Sequence, residues 1–336
     1  MTSLRPRFHV GLLLVLALTA SLTACSKQRE ALTIYSGRTE NLVGPLLEQF
    51  HAETGIPIDV KYGDSAELAL LIQTEGDRTR ADVFLSQTPG ANAMLAGLDL
   101  LSELPSDIID SADERFRDSH QFWVGVTGRQ RVLVFNQDLV DESELPTTID
   151  EVISPAFAGR VAVAPTNGSF QDFVTAMRQV RGEEGTAAWL KALADGDAPT
   201  YPNNNAIVDA VARGEVAMGL VNHYYNARFL AEDPTLPSRN HAFDGDDLGS
   251  LLIPSTVSIM ASSTRTDAAT RFVRFLLSAQ AQRYFAAETF EYPLAGGVPA
   301  AENLPPLSSL KAFPYRFEDL GVGLERTVEM IRQSGL

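Results

Sequence analysis

Two tyrosines stand side by side in the run Val221-Asn-His-Tyr-Tyr-Asn226, and no other local feature of this 336-residue sequence is as unusual. An apolar run, Val216-Ala-Met-Gly-Leu-Val221, reads as a strand that ends just before them, so Tyr224 and Tyr225 fall at a strand-to-helix turn. A tyrosine at a strand end ordinarily packs its ring and leaves its hydroxyl wet. A pair is less ordinary. Neighbouring residues on a helix point about 100° apart, so at a helix start both rings can face one cleft. The usual catalytic constellations are missing. His51, His120, His223 and His241 form no His-x-x-x-His or His-Glu-x-x-His pattern, and there is no Gly-x-Ser-x-Gly elbow, Gly-rich phosphate loop or nucleophilic Cys. The chain reads as a binding protein and not as an enzyme.

Charge and composition narrow the classes further. Net charge is −16 at pH 7 and no cluster of Lys and Arg follows the first ten residues, which excludes nucleic acid as a partner. Apolar residues make up 45 % and charged residues 21 %, a globular balance. A single Cys rules out an intramolecular disulfide framework and any Cys-built metal cluster. That residue, Cys25, closes a leader composed of Arg5, Arg7, an apolar run from Val10 and then Leu22-Thr-Ala-Cys25. The Leu-x-Ala-Cys ending resembles a bacterial lipobox. It makes residues 1–25 a lipoprotein signal peptide and Cys25 the lipidation site of an exported protein that touches the membrane only through its anchor. Loss of Arg5 and Arg7 takes the charge from −16 to −18.

Behind the tyrosines, strand-like and helix-like segments alternate. Leu32-Thr-Ile-Tyr35 reads as a strand, followed by a helix through Leu42, Leu46 and Phe50 that Thr39 can cap and Thr54-Gly55 stops. Ile56, Ile58 and Val60 alternate as a second strand, a helix starts at Asp64 or Ser65, and Asp82-Val-Phe-Leu85 is a third strand. This βαβαβ order predicts parallel strands with helices on both faces, and it gathers residues near 36–39, 62–65 and 86–89 at one crevice. A second block holds a strand at 159–163, helices starting near Gly168 and Glu183, a helix around 207–211 and the strand before the tyrosines. Extended segments at 131–135 and 255–260 flank it. Two crossings between two α/β blocks predict a hinge and a cleft.

Six stretches now carry a resemblance. They are Leu32-Thr-Ile-Tyr-Ser-Gly-Arg38, Ala81-Asp-Val-Phe-Leu-Ser-Gln87, Thr127-Gly-Arg-Gln-Arg-Val132, Ala164-Pro-Thr-Asn-Gly-Ser-Phe170, Asn222-His-Tyr-Tyr225 and Glu291-Tyr-Pro-Leu294. In this order and spacing the chain resembles the periplasmic-type ferric-iron-binding proteins of ABC importers. The resemblance implies a two-lobe, type II periplasmic-binding-protein fold, each lobe a mainly parallel sheet flanked by helices and joined by two hinge strands. It places residues 26–130 and 260–305 in the first lobe and 131–259 and 306–336 in the second. It also implies that Tyr224 and Tyr225 ligate Fe(III) as cargo. Phenolate is a hard, anionic oxygen donor suited to a small trivalent ion, and metal binding lowers its pKa from about 10 by displacing the proton.

Some members of that family add a His after the first strand and a Glu after the third. Thr39 and Gln87 stand there instead, and Phe170 stands where others place a third Tyr. Fe(III) with two tyrosinates keeps one positive charge, and Arg38 adds another, so an exogenous carbonate or similar planar anion is expected on the Arg38 guanidinium. Backbone amides at Asn167, Gly168 and Ser169 and the side chains of Asn204 and Asn222 can assist it. For the Asn residues, turn and cap chemistry is the favoured reading. Thr39 and Gln87 remain possible ligand contacts, and His223 reads as structural. For Arg129 and Arg131 a salt bridge is preferred over anion contact. Glu40, Tyr62 and Asp64 read as cap or rim residues. The reading is a monomeric lipoprotein that delivers ferric ion to an ABC permease. Another small solute on the same fold (an oxyanion, a polyamine or a thiamine-like molecule) is the alternative.

Overall fold

The computed structural model describes residues 31–317, 320 and 323–336, so the leader and Cys25 lie outside the described residues. The chain opens with β1 (Leu32–Ser36), α1 (Glu40–Thr54), β2 (Ile58–Tyr62), α2 (Ser65–Glu75), β3 (Val83–Ser86) and α3 (Pro89–Ala96). Leu42, Val43, Leu46, Leu47 and Phe50 give α1 one buried stripe, and the helix stops at Gly55 in the left-handed region, φ 65°. Asp64 caps α2 by accepting from the amides of Ala66 and Glu67. Thr39 stands at the α1 N-cap but makes no side-chain cap, because its hydroxyl is turned to Asn41 Oδ1 at 2.5 Å. The second strand begins two residues later than its alternation suggests, since its end is set by pairing Tyr62 with Ser36.

Next come β4 (Trp123–Asn136), β5 (Val161–Ala162), α4 (Gly168–Asp195), α5 (Asn204–Ala212), β6 (Met218–Asn222), α6 (His223–Glu232), β7 (Leu252–Met260), α7 (Thr266–Leu276) and α8 (Leu324–Ser334). The helices expected at 168 and 183 are both present as the two halves of α4, separated where Gly182 leaves helical geometry at φ 79° and ψ 170°. The strand expected over 159–163 shortens to β5, because only Val161 and Ala162 pair with β6.

The sheet runs β2-β1-β3-β7-β4-β6-β5. Pairing is parallel in β2-β1-β3 and in β6-β5, while β7 and β4 run antiparallel to their neighbours. The fold is therefore α/β, as the element order predicts. β4 is the long member, with all fourteen residues buried. Trp123–Gln130 pair with β7, and from Arg131 onward the strand pairs with β6. One strand thus belongs to both halves of the sheet. On one side Leu32, Ile34, Phe50, Val83, Phe272 and Val273 pack together; on the other Phe170, Phe173, Trp189, Leu190, Met218 and Leu220 do. No helix among the described residues is long and apolar enough to cross a membrane.

β6 sets the height of the tyrosine pair, and α5 packs on it at Gly219. A methyl group placed on Gly219 would lie 2.2 Å from Ile207 Cγ2. Gly219→Ala is expected to destabilise the protein by about 1–3 kcal/mol through overpacking, read as a lower urea midpoint. A midpoint equal to wild type would show that this contact does not constrain the strand.

Candidate functional site

The apolar strand β6 is buried along its length and runs straight into α6, which places Tyr224 and Tyr225 in the first helical turn. Their rings stack at 4.1 Å between centroids, tilted by 32°. Tyr224 is 1 % exposed and Tyr225 8 %. Burial, then the neighbouring Tyr225, pushes the Tyr224 phenol well above its ordinary pKa, so in the free protein it holds its proton.

Arg38, in the turn after β1, lies with its guanidinium carbon 5.9 Å from the Tyr224 ring centre. It is ion-paired to Glu291, and both side chains are buried. The chain enters this pair through Phe290, in the left-handed region at φ 58°. The other carboxylate oxygen of Glu291 accepts from Thr127 Oγ1 at 2.8 Å, and Thr127 in turn bonds Ser255 at 2.7 Å. Glu291 therefore fastens Arg38 to both crossing strands. Burial would lower the Arg38 pKa, but Glu291 and the two tyrosines more than offset it, and the group stays charged.

Arg129 and Arg131 overturn their expected salt bridges. Among the described residues neither is paired to a carboxylate. Arg129 donates from Nη2 to the carbonyls of Gln87 and Pro254, the latter at 3.2 Å. Arg131 donates from Nη1 to Asn222 Oδ1 at 3.4 Å and lies over the Phe173 ring. Arg129 Nε and Nη1 and Arg131 Nη2 are buried with no protein acceptor. Burial pushes the Arg131 pKa down to about 9 and also lowers that of Arg129, to which Arg38 adds. Glu291 is already bonded to Arg38, and the buried Asp172 carboxylate faces Arg129 without an ion pair, so neither Arg129 nor Arg131 has a bonded counterion among the described residues. Buried cations in that state are costly, and an incoming anion relieves them.

His223 is structural, as its position suggests. Its Nδ1 accepts from the Gln130 amide at 3.1 Å, which leaves Nε2 to donate to Phe290 O at 2.8 Å. Burial pushes its pKa down to about 4, so the ring is neutral at pH 7.

The remaining expected residues divide. Asn222 joins the cluster through Arg131, and Gln87 joins by its backbone carbonyl. Asn167, Ser169 and Asn204 make a network of their own. Asn167 Oδ1 caps α4 by accepting from Ser169 N at 3.1 Å, and Asn204 Nδ2 reaches Asn167 Oδ1 at 3.4 Å. No hydrogen bond joins that network, or Gly168, to Arg38 or the tyrosines among the described residues. Asn204 Oδ1 and Asn222 Nδ2 are buried without partners. Thr39 is exposed and bonded to Asn41, outside the cluster. Asp64 is a helix cap, as read. Glu291 is the residue that sequence reasoning left out of the site. The signal for Arg129 and Arg131 was present: two cations at period two inside the apolar run Trp123–Asn136. No group of three His, Cys, Asp or Glu among the described residues can hold a metal.

Residues 79–317 match the family described as bacterial extracellular solute-binding protein. The chain belongs to that family. Members of the family are solute-binding proteins and not enzymes. The chain is 32 % identical to the major ferric iron-binding protein of Neisseria meningitidis serogroup A, covering 95 % of this chain and 97 % of the relative. It is 28 % identical to the Fe(3+)-binding periplasmic protein of Serratia marcescens, covering 91 % of each. The iron-bound structure of HitA from Pseudomonas aeruginosa superposes with a TM-score of 0.87 at 31 % identity, covering 91 % of this chain and 99 % of that one.

The protonated state of Tyr224 has a spectroscopic consequence. In an absorbance titration at 295 nm, the iron-free solute-binding protein is expected to gain a late tyrosinate component, ionising above the free-tyrosine value of about 10. Tyr224→Phe is expected to remove it. If the substitution instead removed a component near the ordinary value of about 10, Tyr224 would stand in a solvated setting.

Proposed function

We propose that this chain is an exported, lipid-anchored receptor that captures Fe(III) on Tyr224 and Tyr225, together with a carbonate-type anion, and passes it to an ABC permease. The observation that supports this most is the pair of buried, stacked tyrosines set against three arginines of which only Arg38 is ion-paired. Relatives that share most of the chain's length are ferric-binding by name, and the Ser-Gly-Arg turn and tyrosine pair supply matching chemistry here.

Charge decides the form of the cargo. With both phenols protonated, Arg38, Arg129 and Arg131 outnumber Glu291 by two charges, an excess that the ionised Asp172 carboxylate facing Arg129 lowers to one. Loading Fe(III) and displacing two phenol protons adds one more. A metal bound by these side chains alone would intensify the repulsion, so the anion is part of what is captured. Arg38 offers it a planar guanidinium, and Arg129 and Arg131 offer the unpartnered donors. Asn204 and Asn222, each with an unpartnered buried amide atom, are secondary candidates for anion contact. The amides of Asn167, Gly168 and Ser169 stand at the α4 N-terminus and rank after them. Because metal loading displaces protons, affinity rises with pH and acid favours release.

In this reading residues 26–130 and 260–305 form one lobe and 131–259 and 306–336 the other. Closure about the crossing strands traps the ion, and a monomer anchored at Cys25 presents the open and closed forms to its permease. A second reading keeps the fold and drops the metal. The unpartnered arginine donors, with Thr39 and Gln87 in place of a His and a Glu, favour a purely anionic solute.

One titration separates the two. Adding ferric citrate with bicarbonate to the purified protein is expected to give a visible tyrosinate-to-iron charge-transfer band. Tyr224→Phe and Tyr225→Phe should each weaken it, and the double substitution should abolish it. Absence of colour, or colour that survives the double substitution, rules out the iron assignment. Colour that ignores bicarbonate and persists in Arg38→Ala removes only the anion.

A further inference from the structure

Another buried carboxylate lies outside the tyrosine cluster. Asp172, on α4, is 2 % exposed, and its Oδ2 accepts from the Gly90 amide at 3.3 Å while the Thr88 side chain also bonds it. Those two residues begin α3, on the other half of the sheet. Thr88 holds the N-cap position of α3 but supplies no side-chain cap, so Asp172 does that work from 82 residues away. The fit is close: a methyl group on Gly90 would lie 2.8 Å from Asp172 Oδ1. The first turn of α3 is also tied to crossing strand β7. Asn92 Nδ2 donates to Thr256 Oγ1 at 2.8 Å, Ser258 Oγ donates to Asn92 Oδ1 at 2.6 Å, and Thr256 Oγ1 donates to the Thr88 carbonyl at 3.3 Å. A contact from α4 to the start of α3 therefore acts on an element fixed to the strand about which the halves would move.

We propose that Asp172 is a positioning residue for capture: its carboxylate caps α3 across the cleft, and this contact sets how readily the two halves of the sheet close over Tyr224 and Tyr225. The purpose assigned to closure rests on the reading given under Proposed function; the docking itself does not.

The carboxylate faces Thr88 and Gly90 at the start of α3, Arg129 on β4 and Asp64 at the α2 cap. Burial is the largest influence and pushes its pKa up to about 6. Thr88, Gly90 and Arg129 oppose the rise, and Asp64 adds to it. Undocking returns the group towards the ordinary carboxylate value, so the docked state binds the proton more tightly. Docking is therefore favoured as pH falls, and the docked-to-undocked ratio rises about tenfold from pH 8 to pH 5. This runs opposite to the proton dependence of the phenolates, which favours release in acid.

Small-angle X-ray scattering of the iron-free protein between pH 8 and pH 5 tests the latch without cargo. Wild type is expected to become more compact towards pH 5. Asp172→Asn keeps the cap acceptor and loses the charge, so it should be compact with no pH dependence. Gly90→Ala should have the larger radius of gyration throughout, and circular dichroism identifies which variants are folded; either folded variant decides the matter. The proposal is overturned if Asp172→Asn titrates like wild type, or if wild type and Gly90→Ala have the same radius at every pH. Ferric titration of the same samples stands apart: a colourless wild type would remove the iron reading and leave the scattering result intact.

Discussion

Buried positive charge in excess of buried negative charge is the constraint on which this site depends. Arg38 is neutralised by Glu291, but Arg129 and Arg131 project from a strand whose every residue is buried, and among the described residues no carboxylate is bonded to them. Uncompensated burial costs several kcal/mol per ion. A fourteen-residue strand paired on both sides and apolar packing in both halves of the sheet offset that cost, and backbone carbonyls take part of the guanidinium load. In the proposed reading these donors are held in place before an anion arrives, which spares that reorganisation on binding.

The tyrosines complement this charge without cancelling it. Protonated, they are neutral and pack like other aromatic side chains. Ionised, each contributes a negative oxygen beside the arginines. In the proposed reading the same residues pack as aromatics before loading and act as ionic donors after it, and the switch is supplied by the guest. His223 keeps out of this exchange. Its ring is held between the Gln130 amide and the Phe290 carbonyl, is neutral, and lies 4.8 Å from the Tyr292 ring. It braces the turn that delivers Glu291.

Much of the frame was legible in the residues. The apolar run ending at Asn222 and the tyrosines after it locate the site because strand and helix periods change there, and that change is local. The caps at Asp64 and Asn167 were legible for the same reason. What was not legible depends on distant partners. Arg129 and Arg131 invited a salt-bridge reading, because nothing nearby shows that the site's one carboxylate, Glu291, is held by Arg38 from 253 residues away. Thr39 occupies its cap position but turns to Asn41, a choice of rotamer that sequence does not encode. Asp172 looks like an ordinary helix-surface acid until α3 is seen against it. The exact strand ends escaped for a similar reason, since Val161 and Ala162 are limited by what β6 can pair with.

The alternation of Arg129 and Arg131 along β4 also bears on how the chain finds its register. Residues two apart on a strand share a face, so a slip of one position against β6 would turn both guanidinium groups onto the opposite face, into the apolar packing around Val132, Val134 and Ile207. Two stray cations there would make the misaligned sheet far less stable than a slip in an all-apolar strand would. The pair thus marks the correct alignment while the sheet is forming, and a neutral replacement at both positions would loosen assembly fidelity.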